Sequence, residues 1–169
     1  MLKISTRRFV FGALIAGLYV VLTLGLAPIS YGVIQFRVSE VLKAFVLFDP
    51  FFALWIGIGT FFANMVSPFA GPWDLVWMPI TDVVGGVIAW GLFAVLRRRF
   101  AVLPMIVYAL TTGAAVGLML QAFGLGGFWF LSATVAASEL IILVAGTPMI
   151  LWIVRMLEAR GVSLIPDLG

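Results

Sequence analysis

The sequence has 169 residues, of which 64% are hydrophobic and 10% are charged, and its mean hydropathy of +1.23 lies far above that of soluble globular domains. Because it contains neither cysteine nor histidine, it excludes disulfides, thiol and imidazole catalysis and most transition-metal sites. The net charge of +3 comes from short basic clusters near the ends of hydrophobic runs, which indicates membrane topology rather than a nucleic-acid-binding surface.

Hydrophobic runs of about 20 residues predict membrane-spanning helices along most of the chain. The first run, residues 9–27, has no small-residue cleavage site after it, so we interpret it as a first span rather than a removed signal peptide. Residues 38–66 are ambiguous, because the Asp49-Pro50 pair could divide one long helix into two shorter ones. The other runs of span length are residues 75–96, 100–120 and 128–154.

The basic clusters decide between these alternatives, because lysine and arginine gather in the cytoplasmic loops of membrane proteins. If residues 38–66 cross the membrane twice, all three clusters lie on one side. We therefore predict an all-α integral membrane protein in a bacterial-type plasma membrane, a single domain of six transmembrane helices over residues 1–169 with both termini cytoplasmic. The clusters are Lys3, Arg7 and Arg8 before the first run, Arg97, Arg98 and Arg99 after residues 75–96, and Arg155 and Arg160 after the last run.

The second predicted span, residues 35–48, is a short helix. As an α-helix it reaches about 21 Å, which is less than a hydrocarbon core of about 30 Å. Backbone that is not helical at membrane depth must line a cavity or be buried in protein. We therefore expect a recess here, with residues 30–40 at its outer mouth and residues 51–66 forming the third span.

Three polar side chains lie on small-residue stripes in the outer half of their predicted spans: Asn64, Asp82 and Glu139. Ionisable groups inside a bilayer are costly and usually face the interior of the bundle. Their convergence predicts a common pocket that is open to the outside. The alternative is that Asp82 and Asn64 only bond to neighbouring helices or to carbonyls that proline has released.

The stretch SYGVIQFRVSE, residues 30–40, adds Gln35, Arg37 and Glu40 between two strongly apolar runs. Arg37 and Glu40 are three residues apart, so they form either a salt bridge that fixes the loop or a pair that contacts a ligand. Phe36 and Trp77 are expected near this polar cluster. Their rings either stack on a flat ligand or belong to the aromatic belt at the membrane surface.

The first span carries two pairs of small residues at four-residue spacing, Gly12 with Ala16 and Ala13 with Gly17. Such pairs allow close approach of another helix, either within the bundle or on a partner protein. The sequence has no phosphate-binding glycine loop, no zinc-protease motif and no nucleophile elbow, so we predict neither an ATPase nor another enzyme. Energy for any uphill transport must then come from another protein.

The run ISYGVIQFRVSE resembles the signature of the QueT family of queuosine-precursor transporters, and ALIAGLYVVLTL, GPWDLVW and SEL are similar to further blocks of that family. The resemblance implies the substrate-binding S component of an energy-coupling factor transporter, which is a six-helix bundle without a cofactor. Its implied partners are a membrane coupling protein, which meets small residues of the first helix, and two ATPase subunits. The resemblance favours the interpretation that Ala13 and Gly17 contact the coupling protein.

The ligand implied by the resemblance is a deazaguanine base, with or without an aminomethyl group. Glu139, or otherwise Glu40, would accept the paired N–H groups of the guanine edge, and Asp82 would pair with a cationic arm. Asn64 or Gln35 would satisfy the carbonyl and ring nitrogen, and Tyr31, Phe36 or Trp77 would cover the ring. The alternatives are an S component for a vitamin or purine, or a membrane assembly subunit that transports nothing.

Overall fold

The computed structural model describes residues 5–32 and 34–162, and the regular structure within those ranges is entirely helical. Lys3 of the first basic cluster and the predicted cytoplasmic ends of the domain lie outside the described residues. The elements are α1 (Thr6–Gly25), the single turn α2 (Ala27–Ser30), a 3₁₀ helix (Val38–Leu47), α3 (Phe51–Asn64), a turn of π-helix (Trp73–Trp77) that leads into α4 (Met78–Val95), α5 (Val102–Ala122) and α6 (Phe128–Ala159).

Within the described residues, four helical segments are long and apolar enough to cross a membrane. The predicted all-α membrane protein is therefore confirmed at that level. The 3₁₀ helix and α3 have 10 and 14 residues, which is too short for a full crossing by length alone. The four long segments are Thr6–Gly25, Trp73–Val95, Val102–Ala122 and Phe128–Ala159.

The short second element was expected to be an α-helix of about 21 Å, but it is a 3₁₀ helix. A 3₁₀ run of this length is uncommon, and with a rise of roughly 2.0 Å per residue its 10 residues extend about 20 Å. The repeat of roughly three residues per turn stacks Arg37, Glu40 and Lys43 along one side. The Asp49-Pro50 pair follows the helix and separates it from α3.

Consecutive elements run antiparallel, as two polar contacts show. Asp49, just after the 3₁₀ helix, receives two bonds of 2.5 Å from the Arg8 guanidinium near the start of α1. Tyr31, after α1, donates from its hydroxyl to the carbonyl of Ala63 at the end of α3, at 2.6 Å. The 3₁₀ helix therefore runs back along α1, and α3 runs in the same direction as α1.

Small residues allow the elements around the site to approach closely. A Cβ on Gly117 of α5 would overlap the backbone of Ser132 on α6, and one on Gly146 of α6 would overlap Val41 of the 3₁₀ helix. Both substitutions would therefore force helices apart. The largest fully buried side chains include Tyr19, Leu47, Phe52, Tyr108 and Leu143, which come from five different elements.

The small-residue pairs of α1 point in two directions. Gly12 lies against the indole of Trp55, and Ala16 is buried with its carbonyl facing Gly59, so these two residues pack on α3. Ala13 and Gly17 are exposed. The predicted docking set thus contains one pair that is used within the chain and one pair that remains on the surface of the bundle.

Candidate ligand site

A small cavity lies among the 3₁₀ helix, α4, α5 and α6. About 430 Å³ of empty space, including its open mouth, lies between its side chains, but a water-sized sphere can be centred in only about 20 Å³. This is room for about one water molecule, so a base-sized ligand requires the side chains or the loop to move. The lining residues are Gln35, Arg37, Glu40, Asn64, Asp74, Met78, Asp82, Thr112, Val116, Met119, Ser138, Glu139 and Ile142.

The ammonium group of Lys43, which is not itself part of the lining, joins three carboxylates from three elements. Its Nζ lies 2.5 Å from Glu40 Oε2, 2.9 Å from Asp82 Oδ1 and 3.5 Å from Glu139 Oε1. It also donates to Thr112 Oγ1 at 3.1 Å, and the lysine side chain has no exposed surface. A charge this deeply buried is stable only when it is paired, and here several partners supply the pairing.

The three carboxylates differ in how well their other oxygen is satisfied. Glu40 Oε1 accepts a bond from the Tyr19 hydroxyl at 2.6 Å, and Asp82 Oδ2 accepts one from the Thr60 hydroxyl at 2.5 Å. Glu139 Oε2 is buried and has no hydrogen-bond partner among the described residues. A buried polar atom without a partner costs about 1–3 kcal/mol. Glu139 Oε2 can therefore accept a hydrogen bond from a ligand.

Arg37 both ties the loop together and lines the cavity. Its Nε donates to the carbonyl of Ser30 at 3.3 Å, and its Nη1 lies 3.8 Å from Glu40 Oε1. Its guanidinium carbon lies 5.2 Å from the centre of the Tyr31 ring. Burial raises the pKa of the Tyr31 phenol, although the charge of Arg37 opposes this, so the phenol remains a donor at neutral pH.

Asn64 bonds to a neighbouring element and still faces the cavity. Its Nδ2 donates to the backbone carbonyl of Asp74 at 3.0 Å and to Asp74 Oδ1 at 2.7 Å, which fixes the end of α3 against the turn before α4. Its Oδ1 is buried and has no hydrogen-bond partner within the described part of the chain. Asn64 thus offers a second acceptor in the cavity that Glu139 also lines.

Carboxylates outnumber cations at this site. Four carboxylates line the cavity, those of Glu40, Asp74, Asp82 and Glu139, while the cations are Arg37 in the lining and Lys43, which contacts the lining carboxylates. No group of acidic side chains among the described residues is arranged to hold a metal ion. The arrangement favours a ligand that is cationic or rich in N–H donors.

The structure brings together six of the nine side chains predicted to contact the ligand, namely Gln35, Arg37, Glu40, Asn64, Asp82 and Glu139. The three aromatic residues predicted to cover the ring, Tyr31, Phe36 and Trp77, are not in the lining of that cavity. Phe36 is 40% exposed and lies on a groove beside Ile141, and Trp77 is 39% exposed and lies on a groove between α4 and α5.

Sequence reasoning overlooked Lys43, which is the centre of the cluster. A signal was present, because a lysine in the apolar run VLKAFVL is an ionisable group at membrane depth and follows Glu40 by three residues. Asp74 lies within GPWDLVW and could have been found in the same way. Tyr19 and Thr112 carry no such signal, since hydroxyl side chains are common in membrane helices.

Comparison with known proteins identifies the family. The sequence profile described as "QueT transporter" matches residues 9–155, which is most of the chain. A curated relative, "Queuosine precursor transporter QueT" of Lactococcus lactis subsp. cremoris (strain MG1363), is 39% identical over 88 residues, or 51% of this chain. The aligned segment spans 47% of that relative, about half its length. No solved structure matches the chain. The family match confirms the resemblance carried by ISYGVIQFRVSE, and the chain belongs to the QueT transporter family.

Proposed function

We propose that this chain is the substrate-binding subunit for uptake of a queuosine precursor, a deazaguanine base, across the membrane. The name of the curated relative supports this substrate. The observation that carries the proposal is the partnerless oxygen of Glu139, which lies in a cavity that has more carboxylates than cations. An N–H-rich base satisfies that oxygen and also reduces the surplus of negative charge.

The chemistry of the base fits these side chains. The guanine edge presents an N–H and an amino group side by side, and one carboxylate can accept both with charge-assisted strength. Glu139 is the carboxylate proposed for that edge. Gln35 and Asn64 are proposed to satisfy the carbonyl and ring nitrogen. Glu40 and Asp82 line the same cavity, where Lys43 pairs with both.

We infer further that the chain crosses the membrane six times and is energised by a membrane coupling protein and two ATPase subunits. The antiparallel course of α1, the 3₁₀ helix and α3 supports six crossings. The absence of a phosphate-binding loop from the sequence agrees with an external energy source. Ala13 and Gly17, exposed on α1, are the proposed contact with the coupling protein.

Equilibrium binding to the purified protein in detergent tests this function. We expect selective binding of the aminomethyl deazaguanine over guanine, riboflavin and thiamine. Glu139→Gln should weaken binding about 10- to 150-fold, because a hydrogen bond to a charged group is worth about 1.5–3 kcal/mol. Glu158→Gln is the matched control, since Glu158 is an exposed glutamate on the same helix.

The competing outcomes separate the alternatives. Selective binding of riboflavin, thiamine or guanine would replace the queuosine precursor by another nutrient. A protein that binds none of these ligands, and whose melting temperature none of them raises, would favour an assembly subunit and reject the proposed substrate. Equal losses in Glu139→Gln and Glu158→Gln would remove Glu139 from the site.

A further inference from the structure

We propose that Lys43 is the positioning residue of this site: it neutralises Glu40 and Asp82, holds them in place, and thereby leaves Glu139 as the carboxylate that meets the ligand. The identity of the ligand rests on the proposed function. The charge pairing does not, because it concerns only contacts within the chain.

The distances around the ammonium group separate the three acids into two roles. Glu40 and Asp82 lie 2.5 and 2.9 Å from Lys43 Nζ, whereas Glu139 lies 3.5 Å away. The second oxygen of each close acid already accepts a hydroxyl bond, from Tyr19 and Thr60 respectively. These two carboxylates are therefore bound on both oxygens by the protein itself.

Glu139 is in the opposite situation. Its longer ion pair uses one oxygen only, and the other oxygen is buried without a partner among the residues described. Because Glu139 also lines the cavity, a donor that enters the cavity can reach it without breaking an existing bond. Asp74 Oδ2 is likewise buried without a partner among the described residues, but Asp74 holds the Asn64 amide and is not one of the three acids around Lys43. Among those three acids, the contacts point to Glu139 as the group that changes partner when a ligand binds.

Lys43 acts through the acids and not on the ligand directly. It is absent from the cavity lining, and its side chain has no exposed surface. Its bonds join the 3₁₀ helix to α4 through Asp82, to α5 through Thr112 and to α6 through Glu139. The same residue therefore sets both the charge of the site and the spacing of the elements that form it.

Other charged and titratable groups near the cluster do not replace Lys43. Arg37 lies 3.8 Å from Glu40, which is a longer ion pair than either close contact of Lys43. The phenols of Tyr19 and Tyr108 face the cluster from α1 and α5, and Tyr108 donates to the backbone carbonyl of Asp82. Removing the lysine charge would leave Asp82 with hydroxyl donors but without an ion-pair partner.

The test asks whether removal of the Asp82 charge compensates for removal of the Lys43 charge. Lys43→Met should lower the melting temperature in detergent and weaken binding of the aminomethyl deazaguanine at least 30-fold. Adding Asp82→Asn should restore part of the melting temperature and part of the binding affinity. Asparagine keeps the shape of the acid and restores the charge balance. A role in packing alone gives no rescue by Asp82→Asn. In Lys43→Met with Glu139→Gln, binding should stay lost even where the melting temperature recovers.

Two results would overturn the proposal. One is wild-type affinity in Lys43→Met; the other is a double variant, Lys43→Met with Asp82→Asn, that is no more stable and binds no more tightly than Lys43→Met. Where Lys43→Met alone cannot be purified, recovery of folded double variant supports charge pairing, and failure of both variants rejects it. If the wild-type protein binds no deazaguanine, the proposed function fails, while the melting temperatures still decide whether Lys43 and Asp82 compensate each other.

Discussion

At the scale of the residue, the site depends on the hydroxyl groups of Tyr19 and Thr60 as well as on the carboxylates that accept their hydrogen bonds. Tyr19 donates to Glu40 and Thr60 donates to Asp82, in each case to the carboxylate oxygen that does not contact Lys43. In water these oxygens would be hydrated, so their burial is tolerated only because a protein donor replaces the lost water. The cavity therefore depends on residues that never reach a ligand.

Thr60→Val tests this dependence, because valine keeps the shape of threonine but cannot donate to Asp82. We expect a loss of about 1–3 kcal/mol in the free energy of unfolding, since a buried acceptor loses its donor. Thr81→Val is the matched control: its hydroxyl bonds only to the Trp77 carbonyl of its own helix, at an exposed position. Its effect should stay within about 0.5 kcal/mol. Equal melting temperatures for both variants would contradict the assigned role of Thr60.

At the scale of the element, the segment from Val38 to Leu47 shows what the sequence could and could not predict. Hydrophobic length predicted the four long spans, and the Asp49-Pro50 pair predicted the break before α3. Local sequence does not distinguish a 3₁₀ helix from an α-helix, because the choice depends on contacts at both ends. Arg8 holds Asp49 at one end, and Arg37 bonds to Ser30 at the other.

The 3₁₀ form also places Lys43, the overlooked residue of the cluster, on the same side as Arg37 and Glu40. Asn64, Asp82 and Glu139 were found because each lies on a small-residue stripe of a regular helix. In an α-helix Lys43 would point roughly 120° away from Arg37, whereas the repeat of about three residues in the 3₁₀ form aligns them. Phe36 and Trp77 were predicted from depth in the membrane, and depth does not specify which side of an element faces the cavity.

Close packing of α5 on α6 is a second property of elements that can be tested. Gly117→Ala should destabilise the protein by about 1–3 kcal/mol, because the new methyl group would overlap the backbone of Ser132 and the helix cannot yield locally. Gly91→Ala on α4 is the control, since nothing lies within 4 Å of its added Cβ. Alanine there should be neutral or slightly stabilising. Similar melting temperatures for the two variants would show that α5 and α6 tolerate separation.

At the scale of the whole molecule, two short elements and four long ones form a bundle whose polar cluster sits between them. The 3₁₀ helix of about 20 Å and α3 do not span a bilayer by length, yet their ends contact the two ends of α1. The arrangement agrees with the basic clusters, which fall on one side only if both short elements cross. Topology is therefore the global property on which the proposed binding subunit depends.

The absence of cysteine from the sequence makes this topology directly measurable by single-cysteine labelling. We expect Thr6→Cys and Phe100→Cys to react with a membrane-impermeant maleimide only after the cells are permeabilised, and Leu125→Cys to react in intact cells. All three positions are exposed. If residues 38–66 cross once instead of twice, Thr6→Cys and Phe100→Cys will lie on opposite sides of the membrane. Labelling of Phe100→Cys, but not of Thr6→Cys, in intact cells would therefore reject six crossings and with them the outward-facing position of the Glu139 cavity.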